Sequence, residues 1–449
     1  MAVSKEKPIL VATAFNAPGH TVGLLLISEH LARKGFKIYF IAGPDFKTSI
    51  RKIGAEFVEN PWRWEEIFAS APPGHDETWI FKHNFGDSTP VAHRVLKETL
   101  ERVQREHPNR EVVILHESIS GGLGPFEYGA PLPEGYSSLP KVINFHTSVY
   151  ITKDYAIPPF GPGLPYDPTP ENLALWRSIY NAMEPPMSSV VEHYNKLYKA
   201  LGATRPLTDF FFDVLLNLGD VTILATSPSL DYPIQTPNPK LRFIGGLPPK
   251  PLSPAFVHPP WWPTITANAA LASDHPDKKK LVFVTQGTAH RDYTDLIIPA
   301  IKALAGRTDL IVVVTLGSRG AELDNTVDIP GNTIVVDYFP YEAVLPYADV
   351  FVSNAGYGGF MQGIMNGVPM VLAGTMADKA EVCSRAEWAG VAVNLRTQTA
   401  GEAAIKAAVE KVLGEERFKK TAAELKRENE TMDALQRVEV IIEELVVRK

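Results

Sequence analysis

DVFVSNAGYGGFMQGIMNGVPMVLAGTMADKAE, residues 349–381, is the stretch on which the fold turns. The apolar run from Val350 to Val352 predicts a buried parallel strand. It stops at Ser353-Asn354-Ala355-Gly356-Tyr357-Gly358-Gly359 and gives way to a helix-like segment over 360–365. A second strand follows over 368–373, then a polar turn over 374–379. A small-residue loop that opens a helix aims unpaired backbone N–H groups at whatever lies in front of it. The helix dipole favours an anion there, and glycine lets a phosphate come close. A ligand-free strand-to-helix turn would read the same way at one such loop. A second polar loop one strand later favours phosphate binding.

Outward from this segment, strand-like runs alternate with helical patterns in both halves of the chain. They fall at 9–15, 37–41, 112–115, 141–145 and 221–225, and again at 280–285, 310–315, 333–337, 350–352, 368–373 and 391–394. That alternation predicts an α/β protein built of two Rossmann-like, doubly wound parallel sheets. Ten prolines crowd residues 233–263, where they would break helices and ladders. The expected domains are 1–240, a linker over 241–278, 279–430, and a C-terminal helix over 431–449. Residues 150–186, rich in proline and aromatics, read as a long functional loop.

Composition narrows the class. A 449-residue chain with 45% hydrophobic residues can bury two cores. A net charge of −7, with the signs mixed, offers no basic stripe for nucleic acid. The single cysteine, Cys383, rules out an internal disulfide and fits a reducing compartment. The short apolar run near the N-terminus ends at Asn16-Ala17-Pro18-Gly19-His20 and reads as a first strand rather than a signal peptide. No run approaches the ~18 apolar residues of a membrane span. A soluble, cytoplasmic protein is expected.

Open parallel sheets bind ligands outside the C-terminal ends of their strands, which turns the strand list into a site list. In the first half it gives Asn16 to His20, then His116, Glu117 and Ser118, then His146 and Thr147. In the second it gives Gln286-Gly287-Thr288, Leu316-Gly317-Ser318, Tyr338-Phe339 and the two loops already described.

Taken together these pieces resemble the family-1 glycosyltransferases of the GT-B fold, in particular the macrolide- and phenol-glycosylating enzymes. The match spans nearly the whole chain. Asn354-Ala355-Gly356, Gly367-Val368-Pro369 and Asp378-Lys379 match the family's donor signature in order and spacing. Residues 339–346 precede it as the family's base-binding turn does, and Gly19-His20 matches the Gly-His after the first strand. Three positions depart from the pattern. Asn354 stands where a histidine meets the diphosphate, Lys379 where glutamine follows the aspartate, and Tyr341 where glutamine follows Pro340. In these places the chain is similar to a fungal and actinobacterial branch of the family.

The resemblance implies two facing domains, with the C-terminal helix returning to the first. It implies transfer of a hexose, glucose from UDP-glucose foremost, to a hydroxyl of a small apolar or phenolic acceptor of secondary metabolism, with inversion. His20 is the expected base, since imidazole titrates near neutrality, with Glu117 as its carboxylate partner. His116 and His146 are alternatives. Gly287, Thr288, Asn354, Ala355, Gly356, Gly358 and Gly359 are expected around the diphosphate, Tyr338 or Phe339 against the base, and Asp378 and Lys379 on the sugar. Trp79, Phe81, His83, Phe85 and the 150–176 loop are expected to line the acceptor pocket. No Asp-x-Asp and no Cys/His metal spacing occurs, so no metal and no cofactor beyond the UDP-sugar substrate is expected. A UDP-sugar epimerase of similar fold and a silent nucleotide-sugar-binding partner protein are the rival readings.

Overall fold

Val, Ile, Leu and Phe fill the strand centres because these strands are covered on both faces. The computed structural model describes residues 6–235, 238–253, 256–288 and 290–447. In the first sheet, β1 (Ile9–Thr13), β2 (Ile38–Ala42), β3 (Glu56–Glu59), β4 (Val112–Glu117), β5 (Lys141–His146), β6 (Val221–Leu224) and β7 (Leu241–Phe243) pair in the order 3-2-1-4-5-6-7. In the second, β8 (Lys280–Thr285), β9 (Leu310–Thr315), β10 (Thr333–Val336), β11 (Val350–Ser353), β12 (Met370–Leu372) and β13 (Ala392–Asn394) pair in the order 10-9-8-11-12-13. The ladders are parallel throughout. Parallel strands of this kind are buried on both faces, and β1, β2, β4 and β9 are buried along their whole length.

Each order reverses direction once, between β1 and β4 and between β8 and β11. Those reversal points are where open α/β sheets bind ligands. The GT-B arrangement of two facing Rossmann-like domains is therefore present.

Two apolar clusters flank each sheet, and one of them crosses the domain boundary. It joins Val190, Phe211 and Phe212 of the first domain to Phe283, Phe351 and Phe360 of the second. The C-terminal helix, Ala434–Val447, buries Ala434, Val438, Ile442 and Leu445 against Leu24, Ile27 and Phe145 of the first domain.

Several boundaries differ from the sequence expectation. β7 belongs to the first sheet, so the connection starts after Phe243 and not at 241. Within the expected linker, the helix Trp262–Ala270 buries Trp262 and Ile265 in the shared cluster. The stretch read as one long loop over 150–186 becomes a helix at Pro170 and continues to Ala200, through Pro185 and Pro186. β4 and β5 extend through Glu117 and His146, so these polar residues end the strands instead of following them.

Candidate active site

At the first reversal point the chain leaves β1 and enters the helix Pro18–Arg33 with a proline in its first turn. Thr21 Oγ1 donates to the Phe15 carbonyl at 2.8 Å and fixes the entry. His20 is thereby held over the end of β4, with Nδ1 3.0 Å from Glu117 Oε1. The Glu117 side chain is 1% exposed and that of His20 24% exposed. A buried carboxylate is costly unless its oxygens are satisfied. Here Phe15 N–H (3.3 Å), Ile119 N–H (3.4 Å) and the Thr147 hydroxyl (3.1 Å) donate to it alongside His20. An ionised carboxylate only accepts, so His20 Nδ1 carries the proton. Thr147 Oγ1 lies 3.1 Å from the same nitrogen. Nε2 keeps its lone pair and has no protein partner among the described residues.

The electrostatics agree with a basic imidazole. Burial works against the imidazolium, but the charge and hydrogen bond of Glu117, aided by Asp378, outweigh it and raise the His20 pKa above 6.5. Burial likewise pushes Glu117 up, yet His20 pulls it below the usual carboxylate range. His116 and His146, the alternatives to Glu117 as the support of His20, do not share this setting. His116 is wholly buried, and burial drives its pKa down to about 4 in spite of Asn144 at 3.1 Å. His146 is also pushed down by burial. It bridges Ser118 Oγ at 3.2 Å and the Val149 carbonyl at 3.0 Å. Both are neutral core histidines that organise the strand ends.

The second reversal point is built differently. The helix Tyr357–Asn366 starts at Gly356 with no side chain capping it, so its first N–H groups are open to an anion. A Cβ on Gly358 would meet nothing within 4 Å, which marks free space before the helix. Ala355 sits at φ 60°, a left-handed conformation that costs a non-glycine residue about 1–2 kcal/mol. Ala377 does the same at φ 53° in the neighbouring turn. The two loops touch: a Cβ on Gly374 would stand 2.5 Å from the Asn354 carbonyl oxygen. Asn354 is buried, and its Nδ2 donates to the Gln286 carbonyl at 2.5 Å. One amide hydrogen is thus spent tying the β8 and β11 loops together, and one remains for a ligand. Gly287, at φ 74°, and Thr288 lie in that β8 loop. Tyr338 is 40% exposed with Arg319 4.8 Å from its ring centre. Phe339, by contrast, is 5% exposed and packed on Trp261 and Trp262. A buried ring offers no face for stacking, so of the expected pair Tyr338 alone is available.

The two mouths face each other. Ser148, just past β5, donates to Asp378 Oδ2 at 2.7 Å. Glu77 of the first domain accepts from the Ala377 N–H and lies near Lys379. Behind this contact runs a buried ion network that the sequence reading missed. Arg385 meets Asp231 at 2.8 Å, Glu381 at 3.0 Å and the Tyr150 carbonyl at 2.8 Å. Glu381 in turn accepts from Gly161 N–H and Gly163 N–H, each at 3.0 Å. Much of the proline-rich loop is therefore a brace between domains.

The fold and this cleft agree with the known proteins that the chain matches. Its residues 300–445 match the family described as "Erythromycin biosynthesis protein CIII-like, C-terminal domain". It is 40% identical to UDP-glucosyltransferase 1 of Beauveria bassiana (strain ARSEF 2860), over 97% of this chain and 95% of that protein. The chain belongs to the family-1, UDP-dependent glycosyltransferases. UDP-glucosyltransferase B1 of Starmerella bombicola is 32% identical over 98% of this chain and 99% of its own length. Among solved structures, the calicheamicin glycosyltransferase CalG4 superposes with a TM-score of 0.69 at 17% identity, covering 99% of both chains. Among the described residues of this glycosyltransferase, no helix is long and apolar enough to cross a membrane.

The aromatic residues expected around the acceptor divide in this glycosyltransferase. Phe85 stands beside the base, its ring centre 6.2 Å from His20 and 5.0 Å from Phe15. Phe81 is core, packed on Phe211 and Phe212. Tyr166 stacks on Tyr232 in the interdomain brace, and Phe160 packs on Phe212. Trp79 and His83 are half-buried and lie against each other. The Ser148–Asp378 and Arg385–Asp231 contacts carried no local signal, because their partners lie 230 and 154 positions apart in the chain.

Proposed function

We propose that this glycosyltransferase moves glucose from UDP-glucose to a hydroxyl of a small apolar or phenolic acceptor, with inversion and without a metal ion. The observation that carries the reading is the His20–Glu117 pair opening toward Asp378 across the cleft. His20 Nε2 takes the acceptor proton as the acceptor oxygen bonds to the anomeric carbon. The bond from that carbon to the diphosphate oxygen breaks, and UDP leaves. Glu117 holds the ring in the productive tautomer and stabilises the imidazolium. A single in-line displacement inverts the anomeric centre. Asp378 would accept from sugar hydroxyls, giving up Ser148, and Lys379 would lie beside sugar or phosphate.

The leaving diphosphate would rest on the open N–H groups at Gly356, Gly358 and Gly359, with Ala355 shaping the turn and Asn354, Gly287 and Thr288 adjoining. Tyr338 would stack on the base. Fixed donors of this kind stabilise developing charge without reorganising. The absence of any Asp-x-Asp in the sequence supports metal-free transfer. A screen of UDP-sugars against phenols, read by mass and by the anomeric configuration of the product, tests the reading. Glucosylated product of inverted configuration, formed equally with EDTA, is expected. Turnover of the UDP-sugar with no acceptor present would point to an epimerase instead, and a chelator-sensitive rate restored by Mg²⁺ would overturn the donor site.

A further inference from the structure

In the first domain, Ile80–Phe85 form a π-helix that runs into a single tight turn, Gly86–Ser88. A π-turn is rare and recurs at functional sites. His83 and Asp87, four residues apart, meet across this junction, with Nδ1 2.9 Å from Oδ2. A separate element supplies a third group. His193, on the helix Pro170–Ala200, brings Nε2 to 2.7 Å from the other carboxylate oxygen of Asp87. Gly86 permits that approach, since a Cβ there would stand 3.2 Å from His193 Cδ2. The three ligand atoms all lie within 4.8 Å of one another. Each side chain is partly exposed, so an ion can enter and the rings can turn to meet it. None of the three contacts the His20–Glu117 pair by a hydrogen bond among the described residues.

We propose that His83, Asp87 and His193 form a site for a divalent transition-metal ion, zinc foremost, separate from the His20–Glu117 pair. Two imidazole nitrogens and one carboxylate oxygen are a donor set that zinc accepts, with water completing the tetrahedron. As hydrogen bonds alone these half-exposed pairs would add little stability, so an ion gives the constellation a purpose that pairing does not. The ion would clamp the π-helix to the long helix.

The test uses the full chain, free of any affinity tag and stripped with chelator. Titration with Co²⁺ should develop visible d–d bands that Zn²⁺ displaces, at one ion per chain, and Zn²⁺ should bind the tighter of the two. Zinc should also raise the melting temperature. His83→Ala and His193→Ala should each weaken binding by about tenfold or more. Removal of a distant histidine, His30→Ala, should leave it unchanged. Absence of saturable binding below about 100 µM metal would overturn the proposal. So would undiminished affinity in the His83→Ala/His193→Ala double variant.

Discussion

The two sheets reverse order in the same way, yet their mouths are built from different parts of the chain. The first presents side chains: His20, Glu117 and Thr147 linked by bonds of 3.0–3.1 Å. The second presents backbone: an uncapped helix start, a left-handed Ala355, and loops pressed together at Gly374. The difference fits the proposed transfer. A proton must be taken by a group of tuned pKa, which only a side chain supplies, whereas a diphosphate is held well by fixed dipoles.

The largest effect should come from the side-chain mouth. His20→Ala should lower kcat for a weakly acidic hydroxyl acceptor by about 10²–10⁴-fold. Calorimetry should find UDP affinity within a few-fold of the parent. If UDP binding collapsed as well, the division of labour between the mouths would be wrong.

Breaking the contact that holds the mouths opposite one another comes next. Arg385→Ala leaves Asp231 and Glu381 buried without their counter-charge, and should cost about 3–5 kcal/mol in urea unfolding. A loss below about 1 kcal/mol, within the range of exposed ion pairs, would mean that the brace is dispensable.

Asp378→Ala separates sugar from nucleotide. UDP-glucose should bind about ten- to a hundredfold more weakly, while free UDP binds as before. Equal losses for both ligands would make the 374–379 turn structural.

A pH profile gives a smaller, directional effect. His20 is a base only when neutral, and its pKa is raised, so kcat/KM should fall on the acid side with an apparent pKa above 6.5. Glu117→Gln removes the main raising influence and leaves burial, so the acid limb should move to lower pH. A limb that stayed in place would assign that titration to another group.

The smallest effect belongs to the backbone mouth. Ala355→Gly relieves the left-handed strain and should change stability by no more than about 1 kcal/mol, in the stabilising direction. Ala355→Val should destabilise and weaken UDP.

The contrast between the mouths also explains what could be read from the sequence. Strand cores rich in Val, Ile and Leu announced both sheets, and the glycine loop of 353–359 announced the second mouth. The helix there starts at Tyr357 rather than 360, because glycines at 358 and 359 read as loop. β3 and β7 escaped notice as short sheet edges with polar residues and few apolar ones. Glu117 and His146 were placed beyond their strands, since polarity at a buried strand end imitates a turn. The helix through Pro185 and Pro186 defied local propensity, because its buried face, with Trp176, Tyr180, Val190 and Tyr194, outweighs the proline penalty. The His83–Asp87 pair has ordinary i,i+4 spacing, but His193, which joins it, lies 106 positions from Asp87 and carries no local signal.

The returning C-terminal helix bears on recombination between relatives. The first domain is not one continuous piece of chain, since 434–447 pack back onto it and Asn429 bonds Ser227 and Gly246 at 2.9 Å each. A chimera with a single crossover in the proline-rich connection would place a foreign helix on the first domain. Two crossovers, one in that connection and one near Asp433, would exchange second domains and leave the first-domain core whole. The incoming second domain would also have to carry an Arg385 and a Glu381 that fit the host's Asp231 and 161–163 loop. Exchange of domains in this protein is thus constrained by the interdomain brace as well as by the returning helix.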